Sequence, residues 1–316
     1  MLNYRKSEGG INMKKYIWEI GLLITSIIWG SGFVATEIAL DGNLTPLQII
    51  TIRFFIAAIL VNLIFYKQIK QNISKEAIKI GAVLGLFLFI GFAAQTVGLM
   101  YTTPSKNAFI TATNVVIVPF IGYILYKRKL DKFVMISSII TLIGIGILSL
   151  EANFTVNIGD FLTFLCAFGF AFHIFFTSEL GKKYNAFVIT GVQFSVAFML
   201  SLILQIFMGE AQLNATTSGY LGVIYLAIFS TTIGFILQTI CQKFIDGNKT
   251  VVILSTEAVF GAIFSIILLN EVVTSKLIIG SILIFIGIII SETKLSFLFK
   301  QKESSCEYVE DITENI

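Results

Sequence analysis

Charged residues are scarce in this chain. Aspartate, glutamate, lysine and arginine together make up 13% of its 316 residues, whereas 56% of the residues are hydrophobic. A water-soluble protein of this length needs far more polar side chains to cover its surface. The composition therefore excludes a soluble globular protein and predicts helices that lie within a lipid bilayer.

Histidine and cysteine are scarce as well. His173 is the only histidine, and the three cysteines have no spacing typical of a metal or redox site. The sequence contains no His-Glu-x-x-His pattern and no Gly-Lys-Ser/Thr phosphate loop. We therefore predict a protein that is not an enzyme, with no cofactor, no metal and no use of ATP. An intramembrane enzyme or lipid-processing protein, which would need a nucleophile, base or metal cluster, is the alternative.

The apolar residues form ten runs, each close to the ~20 residues that a membrane-spanning helix needs. The links between the runs are short, so no soluble domain is inserted. We predict an all-α polytopic membrane protein with ten transmembrane helices and with no nucleic acid partner. The runs are residues 16–38, 47–66, 77–101, 107–126, 133–150, 159–178, 187–208, 219–242, 250–270 and 277–292.

The first run follows a basic segment and so resembles a secretory signal. It is too long for one and lacks an Ala-x-Ala cleavage site, so we expect it to be retained as the first span. Met1 and Met13 both remain candidate start residues. At the other end, the segment after Lys302 is acidic and polar, and we expect it to be disordered.

Lysine and arginine predict the orientation. Nineteen of the 22 lysines and arginines lie in segments on the same side as the N-terminus. Only Lys106 and Lys276 lie on the opposite side, and Arg53 lies within the second span. Because positive residues concentrate in cytoplasmic segments, both termini are predicted to be cytoplasmic, in a cell membrane. An even number of spans satisfies this orientation.

A repeat relates the two halves of the chain. Gln95-Thr96, Lys106 and Asn114 recur 143 positions later as Gln238-Thr239, Lys249 and Glu257. Because each half has five spans, the second half starts from the opposite side of the membrane, which makes a 5+5 inverted-topology repeat. The predicted segments are a cytoplasmic start (1–15), a first repeat (16–150), a linker (151–158), a second repeat (159–293) and a cytoplasmic acidic tail (294–316).

Several polar side chains lie within the spans. Asn114 and Glu257 each lie eight residues after a lysine, about 12 Å into the membrane, so they approach the midplane from opposite sides. A charge at that depth costs about 2.5–3.5 kcal/mol, and we expect Glu257 to be functional. For the amides, cavity lining and interhelical hydrogen bonding both remain open. The candidate residues for a solute cavity are Trp29, Gln95, Asn114, Gln238, Gln242 and Glu257.

Glu257 is also a candidate for proton coupling, and four further residues are candidates for coupling, gating or structure. Glu37 and Arg53 lie at similar depth near the outer side, where we expect a structural salt bridge; an outer gate that opens when the pair breaks is the alternative. For His173 we expect a hydrogen-bonded core imidazole, with a proton relay as the alternative. Asp160 lies at the start of the sixth span, where helix capping or compensation of the helix dipole explains it.

Two features predict the shape of individual helices. Trp29-Gly30-Ser31-Gly32 places three small residues in the first span, which allows close approach of a neighbouring helix or a bend. Pro119 removes a backbone hydrogen bond midway through the fourth span and predicts a kink there. Its counterpart in the repeat is Ala262, so the predicted kink is not symmetric.

A set of motifs along the chain indicates a family. These motifs are Trp29-Gly30-Ser31-Gly32-Phe33, Pro46, Arg53-Phe54, the segment from Tyr101 to Phe109, Pro119, Gly159-Asp160, the segment from Leu254 to Phe260, and Asn270-Glu271. Taken in order, they resemble the EamA-type branch of the drug/metabolite transporter superfamily. The resemblance implies ten helices, a central cavity lined by both repeats, and alternating access for a small solute. In one departure, Ala258 stands where the family commonly has a proline after the glutamate, so we expect a straighter ninth helix.

We therefore expect a secondary transporter, an exporter of small organic solutes such as amino acids or metabolites. Its partners would be the solute, the lipid bilayer, and a proton or a counter-solute, and it would be a monomer or a homodimer. A sugar-phosphate-type exchanger is a further alternative. It would need several cations in the cavity, and the candidates Arg53, Lys106 and Lys249 each lie nearer an end of a span than the midplane.

Overall fold

The computed structural model describes residues 13–150, 156–245 and 247–293. The expected disorder of the acidic tail falls outside the described residues. Throughout the described parts, helices are the dominant structure, and the two short loop segments at Leu150 and Val156 form an isolated antiparallel bridge. Among the described residues, nine helical spans are long and apolar enough to cross a membrane, and a shorter apolar helix covers Ser275–Ile290.

The first half of the chain contains seven helices. Long unbroken helices alternate with short ones, and the fourth apolar run is divided between α5 and α6. These helices are α1 (Met13–Asp41), α2 (Pro46–Ile64), α3 (Tyr66–Asn72), α4 (Lys75–Leu99), α5 (Pro104–Thr111), α6 (Asn114–Tyr126) and α7 (Lys132–Ser149).

The second half repeats this plan with two long helices, two interrupted spans and a final helix. A π-helical segment, Leu226–Ile233, joins α10 to α11 within one span, and a 3-10 turn, Gly181–Lys183, follows α8. The helices are α8 (Ile158–Glu179), α9 (Ala186–Phe207), α10 (Thr217–Tyr225), α11 (Gly234–Cys241), α12 (Gly247–Ser255), α13 (Glu257–Leu269) and α14 (Ser275–Thr293).

The interruptions between α5 and α6 and between α12 and α13 are equivalent in the repeat. Thr113 and Thr256 occupy them, with nearly identical backbone angles of φ −65°, ψ −9° and φ −63°, ψ −13°. Each threonine hydroxyl donates to the carbonyl three residues earlier, at Ile110 over 2.6 Å and at Ile253 over 2.7 Å. Because a hydroxyl bound this way competes with the regular helical hydrogen bonds, it favours a tightened turn.

This finding corrects two predictions about helix shape. The ninth span is interrupted at Thr256 although Ala258 replaces the family's proline, so the expected straighter ninth helix is wrong. In the fourth span, α6 continues through Pro119, and the interruption precedes that proline by more than a turn. Both spans are therefore interrupted at the paired threonines. The predicted difference between Pro119 and Ala262 does not determine where these spans are interrupted.

The same equivalence extends to the helix ends. α6 and α13 both end in a residue with a left-handed backbone, Lys127 at φ 55° and Asn270 at φ 53°. The backbone N–H of each residue bonds to a carbonyl five residues earlier, at Gly122 and Ser265. A C-terminal turn of this kind satisfies carbonyls that the helix end would leave unpaired. The two halves therefore share local structure as well as sequence.

Glycines bring α1 close to the second half. A Cβ atom built on Gly30 would lie 2.6 Å from the Cβ atom of Phe260 and 2.8 Å from the backbone nitrogen of Gly261. Near the end of α1, Gly42 contacts Gly219, and its carbonyl accepts a hydrogen bond of 2.9 Å from the backbone nitrogen of Thr216. The close approach predicted for the glycines of α1 is therefore present, and it places α1 against α13.

Candidate functional site

A cavity lies where α1, α2, α4 and α8 meet the interrupted spans. Its volume, counted for the centres of water-sized molecules, is about 50 Å³. One water needs roughly 10–15 Å³ on this measure, so the cavity holds a few waters or one small solute in this conformation. Both halves of the chain line it, through Trp29, Gly32, Phe33, Arg53, Phe92, Gln95, Thr111, Asn114, Phe170, His173, Ile174, Leu226, Ser230, Phe235, Gln238 and Glu257.

Arg53 is the one lysine or arginine among these lining residues. Its side chain is buried, with 2% exposure, and its guanidinium lies 4.0 Å from the centre of the Phe92 ring. The Nε atom donates to the hydroxyl of Thr231 over 2.9 Å, and an Nη atom donates to the hydroxyl of Ser230 over 3.3 Å. No carboxylate pairs with Arg53 in the described parts of the chain. Neutral hydroxyls and an aromatic face hold the cation in place.

The predicted salt bridge between Glu37 and Arg53 is therefore wrong. Glu37 does not line the cavity, and its Oε2 atom is buried without a hydrogen-bond partner among the described residues. The apolar runs predict how far along its helix each residue lies, but they do not predict the direction in which each side chain points around the helix axis.

Asn114 and Glu257 are the first residues of their half-helices, α6 and α13. Both side chains are buried, line the cavity, and form no hydrogen bond or ion pair with described residues. The N-terminal end of a helix carries partial positive charge. The two interruptions therefore place one polar side chain from each repeat, together with a helix N-terminus, at the cavity.

The predicted glutamines divide into two groups. Gln95 lines the cavity and donates to the hydroxyl of Thr111 over 3.1 Å. Gln238 also lines it, fully buried, and neither its amide nitrogen nor its amide oxygen has a hydrogen-bond partner in the described chain. Gln242 does not line the cavity, because it follows the end of α11 and donates to Ser178 over 3.4 Å instead. Its assignment to the cavity is wrong.

His173 also lines the cavity. Its Nε2 atom lies 2.9 Å from the amide oxygen of Gln193, and its ring packs edge-on against Phe235 at 5.7 Å. The expected hydrogen-bonded core imidazole is therefore present, at the cavity wall. Asp160, by contrast, lies outside the cavity in the first turn of α8.

Asp160 forms a structural ion pair. Its carboxylate lies 3.2 Å from the ammonium of Lys106 and accepts a hydrogen bond from the hydroxyl of Thr102. The residue that caps α8 is Asn157, whose side chain accepts from the backbone nitrogens of Gly159 and Asp160. The expected capping role of Asp160 is therefore wrong, whereas its place in the first turn suits the helix dipole.

The π-helical segment is the part of the site that the sequence did not predict. Its Ser230 supplies a hydroxyl to Arg53 and a carbonyl that accepts a 2.9 Å hydrogen bond from the indole nitrogen of Trp29. In the same segment, the hydroxyl of Thr232 donates to the carbonyl of Ala227 over 2.8 Å. Single-turn π segments often occur at functional sites. The run Ser230-Thr231-Thr232, in the middle of an apolar span, was the signal that could have found it.

The family of the chain follows from a match to both halves. The sequence profile of the EamA-like transporter family matches residues 16–150 and, a second time, residues 157–293. The chain belongs to the EamA-like transporter family. It is thus a multi-pass membrane transporter with two EamA repeats, and the resemblance found in the sequence motifs is confirmed.

Related proteins carry names that agree with this family. An uncharacterized transporter of Archaeoglobus fulgidus is 33% identical over 290 residues, which are 92% of this chain and 90% of that protein. The uncharacterized inner membrane transporter YicL of Salmonella typhimurium is 25% identical over 86% of this chain and 93% of its own. A solved crystal structure, 16% identical, aligns with a TM-score of 0.65 over 90% of this chain and 99% of its own, which shows a shared fold.

Proposed function

We propose that this EamA-family protein is a secondary carrier that moves a small organic solute by alternating access around the cavity between its two repeats. The observation that carries the proposal is the pair of equivalent interruptions at Thr113 and Thr256. Broken helices in the two halves of an inverted repeat are typical of secondary transporters, whose sites lie where the half-helices meet. Here both interruptions place a polar residue, Asn114 or Glu257, at the same cavity.

The proposed arrangement in the membrane has ten spans with both termini in the cytoplasm. The lysine and arginine distribution supports this orientation. The shorter apolar helix within α14 would be the tenth span. The proposed direction of net transport is export, and the proposed driving force is a proton gradient or exchange for a second solute. The proposed assembly is a monomer or a homodimer.

Contacts on both sides of the cavity support alternating access. Toward the predicted outer side, Gln48 of α2 donates to the carbonyls of Glu210 and Gln212 over 3.0 and 2.8 Å. Toward the predicted inner side, Trp18 of α1 stacks on Phe244 with ring centres 4.1 Å apart. Both sets of contacts join the first repeat to the second. We propose that a carrier cycle separates one set while the other stays closed.

The sugar-phosphate-type exchanger remains the second candidate. Of the three candidate cations, Arg53 lines the cavity. The observation favours some negative charge on the solute. A phosphate group with a charge near −2 usually needs more than one cation, however, and Arg53 alone supplies it among the lining residues.

The experiment is solute counterflow in proteoliposomes. Wild-type protein is expected to give saturable uptake that increases when the same solute is loaded inside. Glu257→Gln and Asn114→Ala should each reduce this uptake by at least about tenfold, the factor expected from loss of one strong polar contact. The matched controls are Glu76→Gln and Asn72→Ala, which alter exposed residues outside the cavity. Uptake that is equal in all five proteins would contradict the site assignment.

A further inference from the structure

Four exposed lysines lie in and just after the short helix α3 (Tyr66–Asn72), at the predicted inner side of the membrane. The seven residues of α3 extend about 10 Å, so this helix cannot cross a bilayer whose apolar core is about 30 Å thick. None of its residues is buried. We call the four lysines the lysine surface, which consists of Lys67, Lys70, Lys75 and Lys79.

Two apolar side chains hold α3 against the second repeat. The ring of Phe65, just before α3, stacks on Phe187 of α9 with ring centres 3.9 Å apart. One turn further along, the Cδ1 atom of Ile69 lies 3.4 Å from the position that a Cβ atom on Gly191 would take. Because residues four apart lie on one face of a helix, these contacts fix the face of α3 that points toward the protein. The lysines of α3 lie away from that face.

Other cations on the predicted inner side already have partners within the protein. The guanidinium of Arg128 lies 2.8 Å from the carboxylate of Glu179, and the ammonium of Lys182 donates to the carbonyl of Ile245 over 3.3 Å. Within the described parts of the chain, the lysine surface forms neither an ion pair nor a hydrogen bond. Glu76 is the only acidic residue between positions 65 and 80, so the positive charge there is largely uncompensated.

The equivalent connection in the second repeat has the opposite character. It joins α9 to α10 over residues 208–216, on the predicted outer side, and its backbone forms no helix. This connection contains one glutamate, Glu210, and no lysine or arginine. The orientation of the chain requires positive charge on the inner side, and the other inner connections supply it as well. Joining two spans therefore does not explain why α3 is helical and carries exposed lysines.

Apolar and aromatic side chains lie directly beside these lysines. Leu63 and Ile64, at the end of α2, are 71% and 65% exposed, so they face the acyl chains of the surrounding lipid. Tyr66, in the first turn of α3, is exposed as well, and tyrosine is enriched where a membrane meets water. Within eight residues, the chain thus presents an apolar surface followed by Lys67 and Lys70. This order matches the acyl chains and the phosphate of a phospholipid.

We propose that the lysine surface binds anionic phospholipids, with one headgroup phosphate between Lys67 and Lys70. Residues three apart on a helix have Cβ atoms about 5–6 Å apart, so both ammonium groups can reach the same phosphate. Each lysine beside an anionic membrane surface increases binding by about fivefold. Because α3 rests on α9, a lipid bound to α3 also stabilises the contact between the two repeats on the predicted inner side.

The test compares two lipids that differ in headgroup charge alone. Delipidated full-length protein in a neutral detergent is titrated with dioctanoyl phosphatidylglycerol or dioctanoyl phosphatidylcholine. Dissociation constants are measured by native mass spectrometry, and thermal unfolding is the second measurement. Phosphatidylglycerol should bind at least about tenfold more tightly and raise the unfolding temperature more. The soluble headgroup glycerophosphoglycerol, which has no acyl chains, should bind at least about tenfold more weakly than the lipid, and equal binding would refute a lipid site.

Paired variants locate the binding. Lys67→Gln combined with Lys70→Gln should weaken binding of phosphatidylglycerol at least about tenfold and leave binding of phosphatidylcholine unchanged. Lys67→Arg combined with Lys70→Arg keeps both charges and should retain binding. The matched control is Lys129→Gln combined with Lys132→Gln, which removes two exposed lysines with the same spacing from another inner connection. This control should keep the affinity within about twofold of wild type.

Three results would overturn the proposal. Equal affinity for the two lipids would show that the headgroup charge is not recognised. An equal loss of affinity in the control pair would show attraction to the net charge of the protein and no site at α3. The third result concerns the acidic segment 303–316: its removal should change the affinity less than about twofold, whereas a tenfold rise would assign the lysine surface to that segment. These measurements use binding alone, so their outcome is independent of the proposed carrier function.

Discussion

Replacing Gly30 with alanine tests whether the close approach of α1 and α13 positions the site. The added Cβ atom would lie 2.6 Å from the Cβ atom of Phe260, 2.8 Å from a backbone nitrogen and 3.0 Å from a backbone oxygen. Carbon atoms in contact prefer about 3.5–4.0 Å, so the helices must separate by roughly 1 Å. Because two of the three neighbouring atoms belong to the backbone of α13, a change of side-chain rotamer cannot relieve the overlap.

Overpacking of this kind costs about 1–3 kcal/mol. We therefore expect Gly30→Ala to unfold at a temperature several degrees below wild type, measured by intrinsic fluorescence in detergent. Movement of α13 also displaces Glu257, and misplacement of a reacting or binding group by about 1 Å can reduce activity up to about 100-fold. Solute counterflow should therefore fall more than the fraction of folded protein does.

Gly146→Ala is the matched control. A Cβ atom on Gly146 would meet only Leu150, at 3.9 Å, which is an ordinary contact. Alanine in a helix is more favourable than glycine by about 0.5–1 kcal/mol, so this variant should be as stable as wild type or more stable. If Gly30→Ala and Gly146→Ala had the same unfolding temperature and the same counterflow, the proposed role of the close contact would be refuted.

Two further predictions concern the interruptions and the coupling. Thr113→Val and Thr256→Val keep the side-chain shape but remove the hydroxyl bonds to Ile110 and Ile253; Thr256→Val also removes a 2.9 Å bond to the hydroxyl of Ser26. Each variant should lower the free energy of unfolding by about 1 kcal/mol or more and reduce counterflow. Thr177→Val, which removes a 2.7 Å bond within an unbroken helix, should leave counterflow unchanged. If Glu257 carries the coupling proton, a pH gradient should accelerate wild-type uptake and have no effect on Glu257→Gln; equal acceleration in both proteins would exclude that role.

The repeat and the membrane class were accessible from the sequence because they depend on spacing and composition. Apolar runs of sufficient length predicted the spans, and the offset between Lys106 and Lys249 predicted two related halves. The length of an apolar run and the spacing of a repeat can each be read along the sequence without knowledge of the fold. The family match over both halves confirms the membrane class and the repeat. The positions of Asn114 and Glu257 followed from the same offset, because equivalent positions in an inverted repeat approach the membrane centre from opposite sides.

The partners of individual side chains were not accessible in the same way. Arg53 and Glu37 have similar predicted depths, but their pairing also depends on how each helix is rotated about its axis. A helix that is apolar on every face has no polar face from which this rotation could be predicted. Gln242 was assigned to the cavity by its spacing from Gln238, although the helix ends between the two residues. The interruptions were missed because a threonine in an apolar run resembles an ordinary helical residue.

The π-helical segment illustrates a further limit. Apart from three hydroxyl-bearing residues, its sequence is apolar, as are residues 83–90, which occupy the equivalent place in the unbroken helix α4. Only the hydroxyls of Ser230, Thr231 and Thr232 distinguish it, and their effect depends on Arg53 and Trp29, which approach from other helices. Local sequence therefore does not decide this conformation, because contacts from distant parts of the chain stabilise it.

Alternating access of the cavity is most directly tested by thiol labelling of Ser230→Cys in a protein whose native cysteines are replaced. A membrane-impermeant reagent is applied separately to the cytoplasmic and the external side of oriented vesicles, with and without a transported solute. We predict labelling from either side, slowed by the solute in both cases. Labelling from one side only under every condition would contradict a carrier whose central cavity opens alternately to the two sides.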